Sequence, residues 1–188
     1  MSEGGGYAPR VGVLEEQTWP AMRDGEWPVA LLPFGATEPH NTHLPYGTDT
    51  IMGREVAARV AATCASQGVN VAALPAVPFG VNTTQLDLRF TINMMPSTQL
   101  ALLTDLASAL AGQGITKLVI LNGHGGNDFK PIIRELHARV LVLPRARHVS
   151  HQLRHERRVT RPAEPRGGVA RAAVGHGDDR QRKALHAI

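Results

Sequence analysis

The segment Lys117-Leu-Val-Ile-Leu-Asn-Gly-His-Gly-Gly-Asn127 joins a short apolar run to a glycine-rich loop that carries a histidine. Six residues rich in Leu, Val and Ile are too few for a stable helix and suit a strand buried on both faces. The same pattern recurs upstream. Pro28 to Gly35, "PVALLPFG", is an apolar run closed by Pro and Gly, and it opens into a second His-bearing loop, "GATEPHNTHLPYGTDT", from Gly35 to Thr50. Val69 to Val77, "VNVAALPAV", reads as a third strand, and Val140 to Leu143 as a fourth.

Helical patterns separate these strands. Thr50 to Gln67 carries apolar residues at helical spacing (Ile51, Val56, Val60, Ala61, Cys64) and stops at Gly68. A second helix follows Pro96, with Ser97 or Thr98 as its cap, and ends at Gly112 or Gly114. A third starts after Asp128, whose carboxylate can cap it, with Pro131 tolerated in the first turn. Strands alternating with helices predict an α/β fold with a mostly parallel sheet covered on both faces. Ligands collect beyond the carboxyl ends of such strands. Both His loops directly follow strands, so the fold brings them to one edge although about 80 residues separate them.

Composition narrows the class. The 188 residues suffice for one domain with a real core. The single cysteine, Cys64, permits no intrachain disulfide, and no run approaches the roughly 20 apolar residues of a membrane span. The expected location is cytoplasmic, with no membrane partner. The overall charge of +4 is uneven: residues 145–188 hold 11 Lys/Arg against 4 Asp/Glu, so residues 1–144 carry a net −3. That basic segment has no aromatic residue and ten arginines, a composition that cannot bury enough surface to offset its ordering entropy. Without aromatics or a known motif it is not expected to recognise nucleic acid. The expected organisation is a flexible N-terminus over 1–10, an α/β domain over 11–144 and a basic tail over 145–188.

Within the first loop, Glu38 and His40 stand at i and i+2, so both side chains can face one way. Asp49 lies where the next helix starts, and there it is either an N-cap or a ligand. With His124 from the second loop, two imidazoles and two carboxylates form a mixed N/O set suited to Zn(II) or Mn(II). His43 is in reach as a substrate-orienting or proton-shuttling group, or as a simple hydrogen-bonding residue of the loop. Gly123, Gly125 and Gly126 let the backbone turn tightly and let a ligand approach its N–H groups. Asn122 and Asn127 are placed to brace that turn, and Asn127 also to cap the following helix. A dinucleotide site is excluded, because the Gly-x-Gly-x-x-Gly spacing and its distant acid are missing. Asn82, Thr83 and Asp87 fall in a polar loop with no assigned role.

The segments "PFGATEPHNTHLPYGTDT" and "LVILNGHGGN" resemble the two hallmark segments of the creatininase (creatinine amidohydrolase) family, and the likeness runs from about Leu14 to Leu143. The resemblance implies a three-layer αβα sandwich and a homo-oligomer, often a hexamer. It also implies hydrolysis of a C–N amide bond, in creatinine or a related small amide, by a water activated at two divalent ions, Zn and/or Mn, with Fe also admissible. By the same resemblance Asp49 bridges the ions, Glu38 is the carboxylate of one, and His40 and His124 are the imidazoles of the other. His43 takes the catalytic position, while Gly125, Gly126 and Asn127 form the substrate-side turn.

Two departures stand out. The family's acid two residues beyond the second-loop His is replaced by Gly126, and the acidic C-terminal segment that otherwise supplies the ligand is missing, so one cation is a ligand short. Residues 145–188 have the Arg/Ala/Gly/Pro/His composition of a GC-rich gene read out of frame, and are read as disordered or as a frameshift product. A coding sequence with no acidic His/Gly/Glu/Thr/Ser segment in either alternative frame would sink the frameshift idea. The alternative function is a creatininase-fold protein with an incomplete metal site and impaired or no catalysis.

Overall fold

The computed structural model describes residues 8–140 and the backbone of 185–187. A 3-10 turn at Leu14–Glu16 and helix α1 (Trp19–Arg23) lead into strand β1 (Val29–Phe34). Then follow α2 (Thr48–Ser66), β2 (Val71–Ala73), α3 (Pro96–Gly112), β3 (Lys117–Asn122), α4 (Phe129–Val140) and β4 (Leu185–Ala187). The sheet order is β2-β1-β3-β4, with β1 parallel to both neighbours and β4 antiparallel to β3. The strand expected from Val140 to Leu143 is not what its first residue forms, since Val140 closes α4; its remaining residues lie outside the described residues. Of the basic segment, only 185–187 is described, and there it is the strand β4.

Alternation along β1 builds the three layers. Ala30, Leu32 and Phe34 face one side, where Leu103 and Ala107 of α3 and Phe129, Ile132 and Leu136 of α4 join Leu118 and Ile120 of β3. Leu31 faces the other side and packs with Val71, Ala73 and the α2 residues Ala57 and Ala61. The result is the αβα sandwich, with the core split by the sheet. Phe34 and Phe129 meet edge to face at 4.9 Å between ring centroids, an arrangement that adds about 1 kcal/mol beyond their burial.

The buried stripe of α2 shares Ala61 with the expected one and otherwise differs. Gly53, Ala57 and Ala61, at i, i+4 and i+8, face the sheet, whereas Ile51, Val56 and Val60 are exposed. Small residues let the helix lie close: a Cβ on Gly53 would already touch Pro33 Cβ at 3.4 Å. At the helix start the approach is closer still, and a side chain on Gly35 would stand 2.5 Å from Thr50 Oγ1. This closeness sets Asp49 over the end of β1.

Helix ends follow the sequence in part. Gly68 and Gly114, with φ of 78° and 83°, take the left-handed position after α2 and α3. Val69 N–H and Ile115 N–H then reach back to the Cys64 and Leu110 carbonyls. The expected Ser97 or Thr98 cap does not form; Met95 holds the cap position and Pro96 opens α3, its fixed φ and missing N–H costing nothing there. Trp19 is exposed, with the Arg23 guanidinium 4.8 Å above its ring. No helix among the described residues is long and apolar enough to cross a membrane.

Candidate metal centre

Register brings the two His loops together. Phe34 and Asn122, the last residues of β1 and β3, are direct partners, and Gly123 N–H donates to the Phe34 carbonyl at 2.8 Å. Because β1 leaves through α2 on one face and β3 through α4 on the other, a crevice opens between their carboxyl ends. Glu38, Asp49 and His124 are buried in it, and His40 is half-buried at its rim.

Four side chains converge there. Ligand-type atoms of Glu38, His40 and Asp49 lie within 4.8 Å of one another. His124 joins from the β3 loop, its Nδ1 3.0 Å from Asp49 Oδ2 and 3.1 Å from Glu38 Oε1. His40 Nε2 is 3.3 Å from Asp49 Oδ1 and 3.9 Å from Glu38 Oε1. Asp49 therefore presents a different oxygen to each imidazole. At the start of α2 the cap position belongs to Gly47, two residues before Asp49.

Backbone carbonyls fix both rings. His40 Nδ1 stands 3.0 Å from the Glu38 carbonyl and His124 Nε2 3.0 Å from the Val81 carbonyl. A carbonyl only accepts, so each of these nitrogens carries a proton. The opposite nitrogen of each ring is then aimed at the carboxylates, as metal-binding histidines are usually oriented. Burial alone would lower the His124 pKa. Hydrogen bonds to Asp49 and Glu38, the Val81 carbonyl and the Glu38 charge outweigh that and raise it from 6.5 to about 10. The imidazolium thus supplies positive charge between two buried carboxylates, a position whose donors equally suit a divalent cation.

The β3 loop is braced as expected. Asn127 Nδ2 donates to Asn122 Oδ1 at 3.1 Å, and His124 N–H donates to the same oxygen at 3.2 Å. Asn127 Oδ1 accepts from Val81 N–H at 3.0 Å and from the fully buried Gln99 at 2.8 Å. Asn127 does not cap α4; Asp128 does, accepting from Lys130 N–H at 3.2 Å. Neither Gly123 nor Gly126 adopts a left-handed backbone. Gly126 is required by close approach instead, because a Cβ there would overlap the Val81 carbonyl oxygen and lie 2.5 Å from His124 Nε2. Gly125 and Gly126 are exposed at the mouth of the crevice. His43 is exposed on the 41–43 turn that follows His40, whose backbone bridges to Leu44, and does not join the converging group.

The 80–93 loop forms a third wall that spacing did not reveal. Val81 supplies the carbonyl to His124, and Gln85 donates to Glu38 Oε2 at 2.7 Å. Asn82 is buried and ties the base of the loop, through its N–H to Asn93 and its side-chain amide to the Ile92 carbonyl. A peptide carbonyl has no sequence signature, and a glutamine in a polar loop gives none either.

The profile of the creatininase family, described as creatinine amidohydrolase, matches residues 15–187. The mycofactocin precursor peptide peptidase of Mycobacterium ulcerans is 31% identical over 140 residues, covering 70% of this chain and 56% of the relative. The crystal structure of a Bacteroides fragilis protein assigned as a creatinine amidohydrolase superposes with a TM-score of 0.67 at 40% identity, over 74% of this chain and 55% of that one. A variant creatininase of Zn–Zn type gives a TM-score of 0.57 at 25% identity, over 70% and 52%. The chain thus spans about half the length of the relatives it matches. With both motif loops meeting at one sheet edge and the family profile matched over residues 15–187, the chain belongs to the creatininase family.

Proposed function

We propose that this protein is a metal-dependent amidohydrolase that cleaves a C–N amide bond with an activated water. The observation that carries the reading is Asp49 placed between two imidazoles of fixed tautomer, one on each of its oxygens. Glu38 Oε1, Asp49 Oδ2 and His124 Nδ1 would hold one divalent ion; Asp49 Oδ1 and His40 Nε2 would hold a second. Bound ions of this kind, zinc or manganese for such donors, lower the pKa of water and polarise a carbonyl.

The chain's own groups do the rest. The Val81 and Glu38 carbonyls keep the two rings oriented, and the β1–β3 crevice keeps Glu38 and Asp49 away from bulk water. Exposed Gly125 and Gly126 would present their backbone N–H groups to an amide, and exposed His43 would orient substrate or move a proton. Asn127 acts from behind by holding the loop. The second ion has fewer protein ligands among the described residues, because position 126 offers no side chain, and this supports the alternative of an impaired site.

Identity to peptidases favours a peptide amide, and the family resemblance favours creatinine. Elemental analysis of the purified full chain and of His124→Ala, with hydrolysis of creatinine and of small peptides followed in parallel, tests the proposal. Divalent metal in the parent, its loss in the variant and turnover of one substrate are expected. A parent chain that retains no divalent metal would overturn the reading.

A further inference from the structure

Residues 83–90 form a stretch of loop in which every residue but one is exposed; Gln85 alone turns inward. Its amide nitrogen donates to Glu38 Oε2 at 2.7 Å. The other oxygen, Oε1, is the one that faces His124 Nδ1 at 3.1 Å and His40 Nε2 at 3.9 Å. We propose that Gln85 is a positioning residue that fixes Glu38 as a one-oxygen ligand, tying up Oε2 so that Oε1 alone points into the metal centre. The inference rests on the metal site proposed above.

Two chemical arguments and one observation support a role beyond loop packing. An amide is neutral, so it orients the carboxylate without cancelling the charge a cation needs. A buried carboxylate has several acceptor sites and would otherwise be free to rotate and offer both oxygens; one short hydrogen bond removes that freedom. The loop that carries Gln85 is itself held. Gln85 N–H donates to the Asn82 carbonyl at 3.1 Å, Leu88 N–H donates to the Gln85 carbonyl at 3.1 Å, and Tyr46 OH from the first motif loop donates to the Arg89 carbonyl at 2.9 Å. The donor is therefore delivered by a segment anchored at its base and to the Glu38 loop.

Outer partners of this kind tune affinity by about 10–100-fold. The test uses the full chain as parent, Gln85→Met, which keeps the length and removes the donor, and Thr84→Ala as a control on an exposed neighbour. Zn(II) affinity by chelator competition, the visible spectrum of the Co(II)-loaded protein and the melting temperature of the metal-free protein are compared. Gln85→Met is expected to bind Zn(II) about 10–100-fold more weakly and to shift the Co(II) bands, while its metal-free melting temperature falls modestly because Glu38 Oε2 loses its donor, and Thr84→Ala is expected to behave like the parent. Affinity within about twofold of the parent, or an equal loss in Thr84→Ala, overturns the role of Gln85 and leaves the metal site standing. A parent that binds neither Zn(II) nor Co(II) overturns both.

Discussion

Asp49 Oδ2 and His124 Nδ1 are 3.0 Å apart although 75 positions separate the two residues in the chain. One comes from the first turn of α2 and the other from the loop after β3, and the close packing of α2 on the end of β1 makes the contact possible. The pairing links the fold to the chemistry, because Asp49 is set in the crevice by the small-residue stripe of α2 and His124 by the register of β3 on β1.

Replacing Asp49 by Asn tests the bridging role directly. The amide keeps the shape but turns one oxygen into a donor, which cannot serve an ion or accept from an imidazolium. Metal affinity is expected to fall by more than the roughly 100-fold upper range of an outer partner. Chelator competition measures it; a variant that binds metal as the parent does would remove Asp49 from the centre.

His124 predicts a pH dependence of the metal-free chain. Its folded pKa of about 10 lies above the ordinary 6.5, so its contribution to stability is complete below pH 6.5 and is lost as pH rises through 10. Urea midpoints should fall from pH 7 to 10 in the parent, and this fall should be reduced in His124→Ala. An equal fall in both would sink the assignment. Because an ion must displace the Nδ1 proton, apparent metal affinity should also climb about tenfold per pH unit over that window.

Asn127 separates bracing from substrate contact. Truncation to Ala would leave Val81 N–H and the Gln99 amide without their acceptor and would remove one of the two donors to Asn122 Oδ1, and Gln99 Oε1 already lacks a partner. The expected cost is about 3 kcal/mol in denaturant unfolding of the metal-free protein. A variant with parental stability but a raised KM would instead make Asn127 a substrate-binding residue.

Much of this site was legible because its signals are local. Glu38, His40 and His124 stand in loops that follow strands, Asp49 opens the helix after the first of them, and the Phe34–Asn122 register carries both segments to one edge. The inward face of α2 is legible only in part: Ala61 lies on it as its spacing predicts, but hydrophobicity also favours the exposed Ile51, Val56 and Val60, whereas close packing selects Gly53 and Ala57. Gln85 and the Val81 carbonyl escaped because their roles depend on the path of an aperiodic loop.

Gly126 distinguishes a packing requirement from a merely permissive glycine. A methyl group there would overlap the Val81 carbonyl oxygen and crowd His124 Nε2, the two atoms whose hydrogen bond sets the ring's tautomer. Gly126→Ala must therefore shift the 80–93 loop or rotate the imidazole. The expected result is a loss of about 1–3 kcal/mol in stability together with weaker metal binding. Gly112, in α3, has nothing within 4 Å of its would-be Cβ, so Gly112→Ala should be neutral or gain up to about 1 kcal/mol. Denaturant unfolding and chelator competition on both variants check the contrast. Parental metal affinity in Gly126→Ala would mean that the Val81 carbonyl does not hold His124 in its binding orientation.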